Sequence, residues 1–265
     1  MRLTERIHLI GSGEPDLVTT DPLDSQVYLI ESAEGHVVID GGAGRSVDAI
    51  LANVTADGLH PGDIGWLLVT HAHGDHAGAG SAWRARVPGL RIGASPEVAG
   101  WLEAADEEAT SVDRARLAGI YPPDYRLTPC GIDRRMADGT SLDLGDGLRL
   151  TALATPGHAA GHLAFLLEEG AASHARSGAR SDSPAGDRRR ATFSGDALFP
   201  GGRILLQDTW DCDLGTALRS VERLAAQDAV DLLAGHLAPA IGDGRAHAAL
   251  ALERIAGLLP PLNLL

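Results

Sequence analysis

Residues 66–76 read WLLVTHAHGDH. The run from Trp66 to Thr70 is apolar and has the length of a strand buried on both faces, too short for a self-standing helix. It ends directly on His71, His73, Asp75 and His76, so a buried strand delivers four potential metal ligands at its carboxyl edge. In a loop leaving a strand, this spacing can turn His71 and His73 toward one metal while Asp75 and His76 turn toward a second. Imidazole and carboxylate without thiolate suit zinc, manganese or iron.

Working outward from that motif, short apolar runs at 7–10, 27–30 and 37–39 are punctuated by Gly and Asp, the last closing on Asp40-Gly41-Gly42. They read as strands joined by tight turns. Val47, Ile50, Leu51 and Val54 fall at helical spacing, and Gly58, Pro61 and Gly62 mark the return to the strand at 66–70. Residues 95–130 change character: Ser95-Pro96-Glu97 opens a helix with Val98, Trp101 and Leu102 on one face, an excursion placed to cap a pocket.

Strand-like runs resume at 142–144 and 148–153, followed by TPGHAAGH from Thr155 and a strand over 162–167. Residues 169–190 are rich in Gly, Ala, Ser and Arg and offer almost nothing to bury, so a mobile loop insertion is expected there, with the Arg188 to Arg190 cluster solvated. A strand at 191–194 meets Gly195-Asp196, a helix spans 214–227, the run at 230–233 ends on Gly235-His236, and an amphipathic helix covers 245–258. One domain over 1–265 is the expectation.

Charge excludes some partners. The net charge is −14, and all 22 basic residues are arginine. Such a chain repels polyanions over most of its surface, which argues for a small-molecule substrate and against nucleic acid or an anionic membrane. Cys130 and Cys212 are far apart and outside any CxxC pattern, indicating neither a zinc knuckle nor a disulfide framework. No apolar export stretch opens the sequence, and a cytoplasmic location is expected.

Taken together, HAHGDH after an apolar strand, TPGH at 155–158, GDALF at 195–199 and GH at 235–236 resemble, in kind and order, the ligand motifs of the metallo-β-lactamase superfamily. The resemblance spans nearly the whole chain. It implies an α/β fold, a four-layer αβ/βα sandwich of two mixed β-sheets with helices on the outer faces and metals at one edge. It further implies that His71, His73 and His158 hold a first divalent ion, Asp75, His76 and His236 a second, and that Asp196 bridges them. Zinc is the first expectation for the pair, with iron or manganese compatible. A bridging carboxylate at Asp196 is similar to the glyoxalase II-like branch, implying hydrolysis of a thioester, ester or lactone by a hydroxide held between two ions. Asp75 would then also act catalytically, orienting the nucleophile and relaying a proton. An iron-dependent sulfur dioxygenase, a nuclease and a non-catalytic binding protein of the same fold stay open as alternatives.

Secondary expectations follow. Asp40 would hold the metal loop by hydrogen bonds, and His162 would support the ligands from behind. His8, His36, His60, His174 and His247 match no ligand position. Gly74, Gly157, Gly195 and Gly235 each sit beside a ligand, where close backbone approach is needed. Specificity would reside in 95–130 and 200–213, with Tyr121, Tyr125, Trp101, Trp210 and Asp211 as possible pocket residues and Arg203 as a candidate for an anionic group.

Overall fold

The computed structural model describes residues 1–14, 17, 20–170 and 189–265. Alternation along the strands builds two sheets. The first runs β1 (Ile7–Gly11), β2 (Val27–Ile30), β3 (His36–Ile39), β4 (Ile64–Leu68), β5 (Arg91–Ala94) and β6 (Arg134–Arg135), in that spatial order. It is antiparallel as far as β3 and parallel beyond it. The second has the order β11 (Asp231–Ala234), β10 (Arg189–Gly195), β9 (Leu163–Glu169), β8 (Leu148–Ala154) and β7 (Ser141–Asp143). Only its β10–β11 pair is parallel.

Because side chains on a strand point alternately to opposite faces, each central strand feeds two cores. Tyr28 and Ile30, Val37 and Ile39, and Trp66 and Leu68 meet Leu163, Phe165 and Leu167 and Ala191 and Phe193 between the sheets. The residues between them turn outward. Val27, Leu29, Val38 and Leu67 pack under α1 (Val47–Ala56), α3 (Gly80–Arg86) and α4 (Pro96–Ala104). On the far side Ala164 and Leu166 pack under α6 (Leu214–Ala225) and α7 (Gly244–Ala256). The result is the expected four-layer sandwich of two mixed sheets.

The helices start where the sequence caps them. The Ser95 hydroxyl accepts from the Val98 amide at 3.3 Å with Pro96 at the first helical position of α4, and the Asp213 carboxylate accepts from the Thr216 amide at 2.7 Å at the head of α6. Two expectations need correction. Residues Val69 and Thr70 lie beyond β4, although the Val69 amide still donates to the Gly93 carbonyl at 2.9 Å. The presumed insertion at 169–190 is shorter than that: Glu169 closes β9, and Arg189 and Arg190 open β10, each held to a carboxylate, Asp231 and Glu168 respectively. Its remainder, 171–188, with His174 and Arg188, lies outside the described residues. Among the described residues, no helix is long and apolar enough to cross a membrane.

Candidate metal centre

Four loops leave the carboxyl ends of β4, β8, β10 and β11 and bring all seven expected ligands to one edge of the sandwich. After β4 the chain stays extended, so His71 and His73, two apart, turn to the same side. A single helical turn, α2 (Gly74–Ala77), then swings Asp75 and His76 to the neighbouring position. The two sheets are stitched here, the Leu163 amide at the start of β9 donating to the Thr70 carbonyl at 2.8 Å.

Three groups of ligand atoms result: His71, His73 and His158; His71, His76 and Asp196; and Asp75, His76 and His236. In the first, His73 Nδ1 lies 3.0 Å from His71 Nε2 and 3.1 Å from His158 Nε2. Ligands about 2.0–2.1 Å from one tetrahedral zinc sit about 3.3 Å apart, so the spacing is close to that of a filled site. In the second group Asp196 Oδ1 is 3.4 Å from His76 Nε2, while Asp196 Oδ2 is 3.5 Å from His236 Nε2 and 3.6 Å from His158 Nε2. Asp196 therefore stands between the two histidine sets. Asp75 Oδ2 lies 3.4 Å from His76 Nε2 and 3.3 Å from His236 Nε2.

Hydrogen bonds on the far side of each ring decide what the rings present to the centre. His158 Nδ1 donates to the Leu205 carbonyl at 2.9 Å, and His76 Nδ1 to the Asp40 carboxylate at 2.8 Å. The Thr70 hydroxyl donates to Asp40 at 2.8 Å, leaving its lone pair for His71 Nδ1 at 3.0 Å. His236 Nδ1 faces Glu14 at 3.3 Å. When neutral, each of these rings is thereby left with its Nε2 lone pair turned inward, the tautomer a metal requires. The buried His76 Nε2 and Asp196 Oδ1 have no hydrogen-bond partner. Such orphans are rare in native interiors, and a cation between them would satisfy both. The donor set fits a pair of divalent ions.

The electrostatics agree. Burial, with His76 and His73 alongside, holds the His71 imidazole well below its usual range. Burial and His158 push His73 down to about 4, so it is neutral near pH 7. Burial opposes charge on His76, but Asp75, Asp196 and Asp40 outweigh it and lift the imidazole well above its usual value. Burial would likewise raise the Asp75 carboxyl, yet His76 and His236 beside it hold it well below the carboxylate range. The carboxylates thus draw positive charge to the pocket.

Asp40 does what was expected, and at φ 57° it occupies the left-handed region where Asp and Asn are best tolerated. His162 supports rather than binds: Nδ1 meets the Thr155 hydroxyl at 2.9 Å, Nε2 accepts from the Asp196 amide at 3.2 Å, and the ring stacks on His71. Both of its nitrogens are therefore occupied. His8, His36, His60 and His247 bond elsewhere, to Asp57 and Glu31, Ser32, Gly62 and Gly201 respectively.

All four expected glycines are required by the packing, Gly157 against the Ala217 backbone, Gly74 against Tyr125, and two against the centre itself. A Cβ on Gly235 would lie 2.2 Å from Asp196 Oδ1 and 2.5 Å from His76 Cε1, and Gly195, at φ +49°, would bring one to 2.6 Å from His162 Nε2. Gly235→Ala is accordingly expected to push Asp196 and His76 apart. It should lose bound metal in elemental analysis while costing about 1–3 kcal/mol of stability in urea unfolding.

The centre opens into a cleft of about 1400 Å³. The expected cap divides in two: α4 belongs to the outer helical layer, whereas residues from Glu108 through α5 (Val112–Leu117) to Tyr121 line the cleft. Tyr121 is held against the centre, donating to Asp75 Oδ1 at 2.8 Å. Trp210 lines the cleft, but Trp101 packs edge-on behind it at 5.9 Å, and Tyr125 sits beneath the metal loop, bonded to the Ala43 and Gly74 carbonyls. Asp211 is not among the residues lining the cleft, and its Oδ2 accepts from the Ala160 amide at 2.7 Å. Arg203 is exposed at the end of a tight turn with Phe199, away from the cleft. The sequence reading missed Glu14, behind His236, and Gln207, whose Nε2 is 3.3 Å from His158 Nε2. Neither position carries a local signal.

Comparison with known proteins agrees with this architecture. The sequence profile of the Metallo-beta-lactamase superfamily matches residues 20–171. The lactamase-like protein adaB of Aspergillus niger is 26% identical over 226 residues, covering 84% of this chain and 52% of that protein. A hydroxyacylglutathione hydrolase of Acidiphilium cryptum is 30% identical over 151 residues, 56% of this chain and 50% of the other. The chain thus spans about half the length of the curated relatives it matches. Among solved structures, the subclass B3 metallo-β-lactamase BJP-1 of Bradyrhizobium japonicum superposes with a TM-score of 0.68 at 21% identity, covering 97% of this chain and 92% of that one. At that identity the likeness is one of fold.

Proposed function

The chain belongs to the metallo-β-lactamase superfamily, a family of hydrolases, and we propose that within it this protein hydrolyses a small acyl substrate, a thioester, ester or lactone. The observation that carries the proposal is the convergence of seven ligand side chains on buried atoms, His76 Nε2 and Asp196 Oδ1, that nothing else satisfies. His71, His73 and His158 would hold one ion, Asp75, His76 and His236 the other, and Asp196 both. Zinc is the first choice for this thiolate-free nitrogen and oxygen set. When bound, the ions supply acidified water and polarise a carbonyl oxygen.

The chain's own residues supply the rest. The Tyr121 hydroxyl fixes Asp75 Oδ1 and leaves Oδ2 turned toward His76 and His236. Held ionised, Asp75 would orient the attacking water as an acceptor and relay its proton to the departing thiol or alcohol as the acyl C–S or C–O bond breaks. Glu14 and the Leu205 carbonyl keep His236 and His158 in register while this happens. The name of the Acidiphilium relative, a hydroxyacylglutathione hydrolase, supports the acyl reading. The acidic cleft lining disfavours a polyanionic nucleic acid.

A panel of a thioester, a lactone, a cephalosporin and a phosphodiester, offered to the protein before and after metal stripping and zinc restoration, tests this. Turnover of one acyl class, lost on stripping and regained with zinc, is expected. Turnover of the phosphodiester alone, or of nothing by the zinc-loaded protein, would overturn the acyl reading.

A further inference from the structure

Large apolar side chains are most exposed in two places among the described residues, the C-terminal segment from Leu258 onward and the lip of the cleft. Leu117 is 89% exposed, Ile120 60% and Trp210 57%, and with the half-buried Leu206 all four line the same cavity as the metal-ligand cluster. Trp210 is fixed there, its indole N–H donating to the Ala109 carbonyl at 3.2 Å and its ring set edge-on to Trp101. Exposed apolar side chains lining the same cavity as a site mark the place of a ligand's apolar part. Charge in the cleft is one-sided. Glu108, Asp113 and Asp208 line it beyond the ligands, and the one arginine among its described lining residues, Arg114, is tied to Asp208 at 2.7 Å.

We propose that the substrate carries an uncharged, apolar acyl chain that lies along Leu117, Ile120, Leu206 and Trp210 while its carbonyl reaches the centre, and that substrates bearing extra anionic groups are rejected by the acidic lining. This rests on the acyl-hydrolase reading above. Full burial of a methylene is worth about a fourfold gain, and an open lip that covers half of each gives about twofold. From butanoyl to decanoyl p-nitrophenyl esters, kcat/KM of the zinc-loaded protein should therefore rise about 50-fold. The octanoyl ester should exceed the equally long monoester of suberic acid, whose far end is a carboxylate, by a factor that shrinks as salt is raised. The double variant Leu117→Gln, Ile120→Gln should flatten the chain-length slope.

A flat or falling slope in an active enzyme, or no penalty for the carboxylate, overturns the proposal while leaving acyl hydrolysis in place. Should no ester be turned over, the acyl reading fails, and the lip is then tested by binding: decanamide should change the fluorescence of the native protein but not of Trp210→Phe, and more strongly than decanoate does. Absence of a Trp210-dependent change overturns the proposal by that route too.

Discussion

Asp196→Ala is expected to fold, to retain about one metal equivalent in place of two, and to hydrolyse its substrate at least about 10³-fold more slowly, a loss in keeping with the several kcal/mol that paired ions contribute to a transition state. Asp196 is the side chain that faces both sets of ligands, reaching His76 from one oxygen and His158 and His236 from the other. Without it neither position keeps its shared anion. The fold should survive because the loss is locally compensated. Asp196 contributes to holding His76 and His236 above their usual range against burial, so its removal lets those imidazoles shed protons rather than strand a buried charge. Elemental analysis, circular dichroism and steady-state kinetics on one preparation would decide it. Near-normal turnover would sink the shared-carboxylate arrangement, and collapse of the fold would show Asp196 to be structural. His73→Ala, which removes one ligand of the first set only, should also silence turnover but keep a metal at Asp75, His76 and His236.

Why so much of this centre was legible lies in where its ligands sit. Each belongs to a short motif at the end of an apolar run, so HAHGDH, TPGH, GDALF and GH announce themselves in the order in which the strands deliver them. The central strands are likewise legible as short continuous apolar runs, because both of their faces are buried and each residue must be apolar. What stayed hidden is held by contacts between distant segments. Glu14 reaches His236 across nearly the whole chain, and Tyr121, read only as a pocket candidate, grips Asp75 from 46 residues away. Nothing local distinguishes either from a surface acid or a core aromatic. The turn α2 spans 4 residues, less than the period that would reveal it. Arg203 and Asp211 misled for the opposite reason. Their side-chain chemistry suits a substrate contact, but a tight turn and the Ala160 amide claim them.

Asp40 offers the sharpest separation of stability from metal binding, because one carboxylate serves three buried donors. Its Oδ1 accepts from the Thr70 amide at 2.7 Å, and Oδ2 from the Thr70 hydroxyl and from His76 Nδ1, both at 2.8 Å. Asp40→Ala orphans all three and places alanine in the left-handed region. At about 1–3 kcal/mol for each unsatisfied buried group, some of them able to re-aim, a loss of about 4 kcal/mol is expected. For a chain of this size that is roughly a 10 °C fall in Tm, together with a 10- to 100-fold weaker metal affinity. Asp40→Asn differs in kind. Asparagine tolerates the backbone angle and its carbonyl still serves the Thr70 amide, so the fall in Tm should be much smaller. Its amide, however, now points N–H toward His76 Nδ1, which must become the acceptor. The ring proton moves to Nε2, and the atom that faces Asp75 and Asp196 stops being a donor of electrons. The Asp40→Asn variant should therefore be the better folded of the two and yet bind metal more weakly than its stability predicts, measured by melting and zinc titration side by side. If metal affinity instead tracks Tm across the two variants, the carboxylate acts only by bracing the loop and not by setting the tautomer of His76.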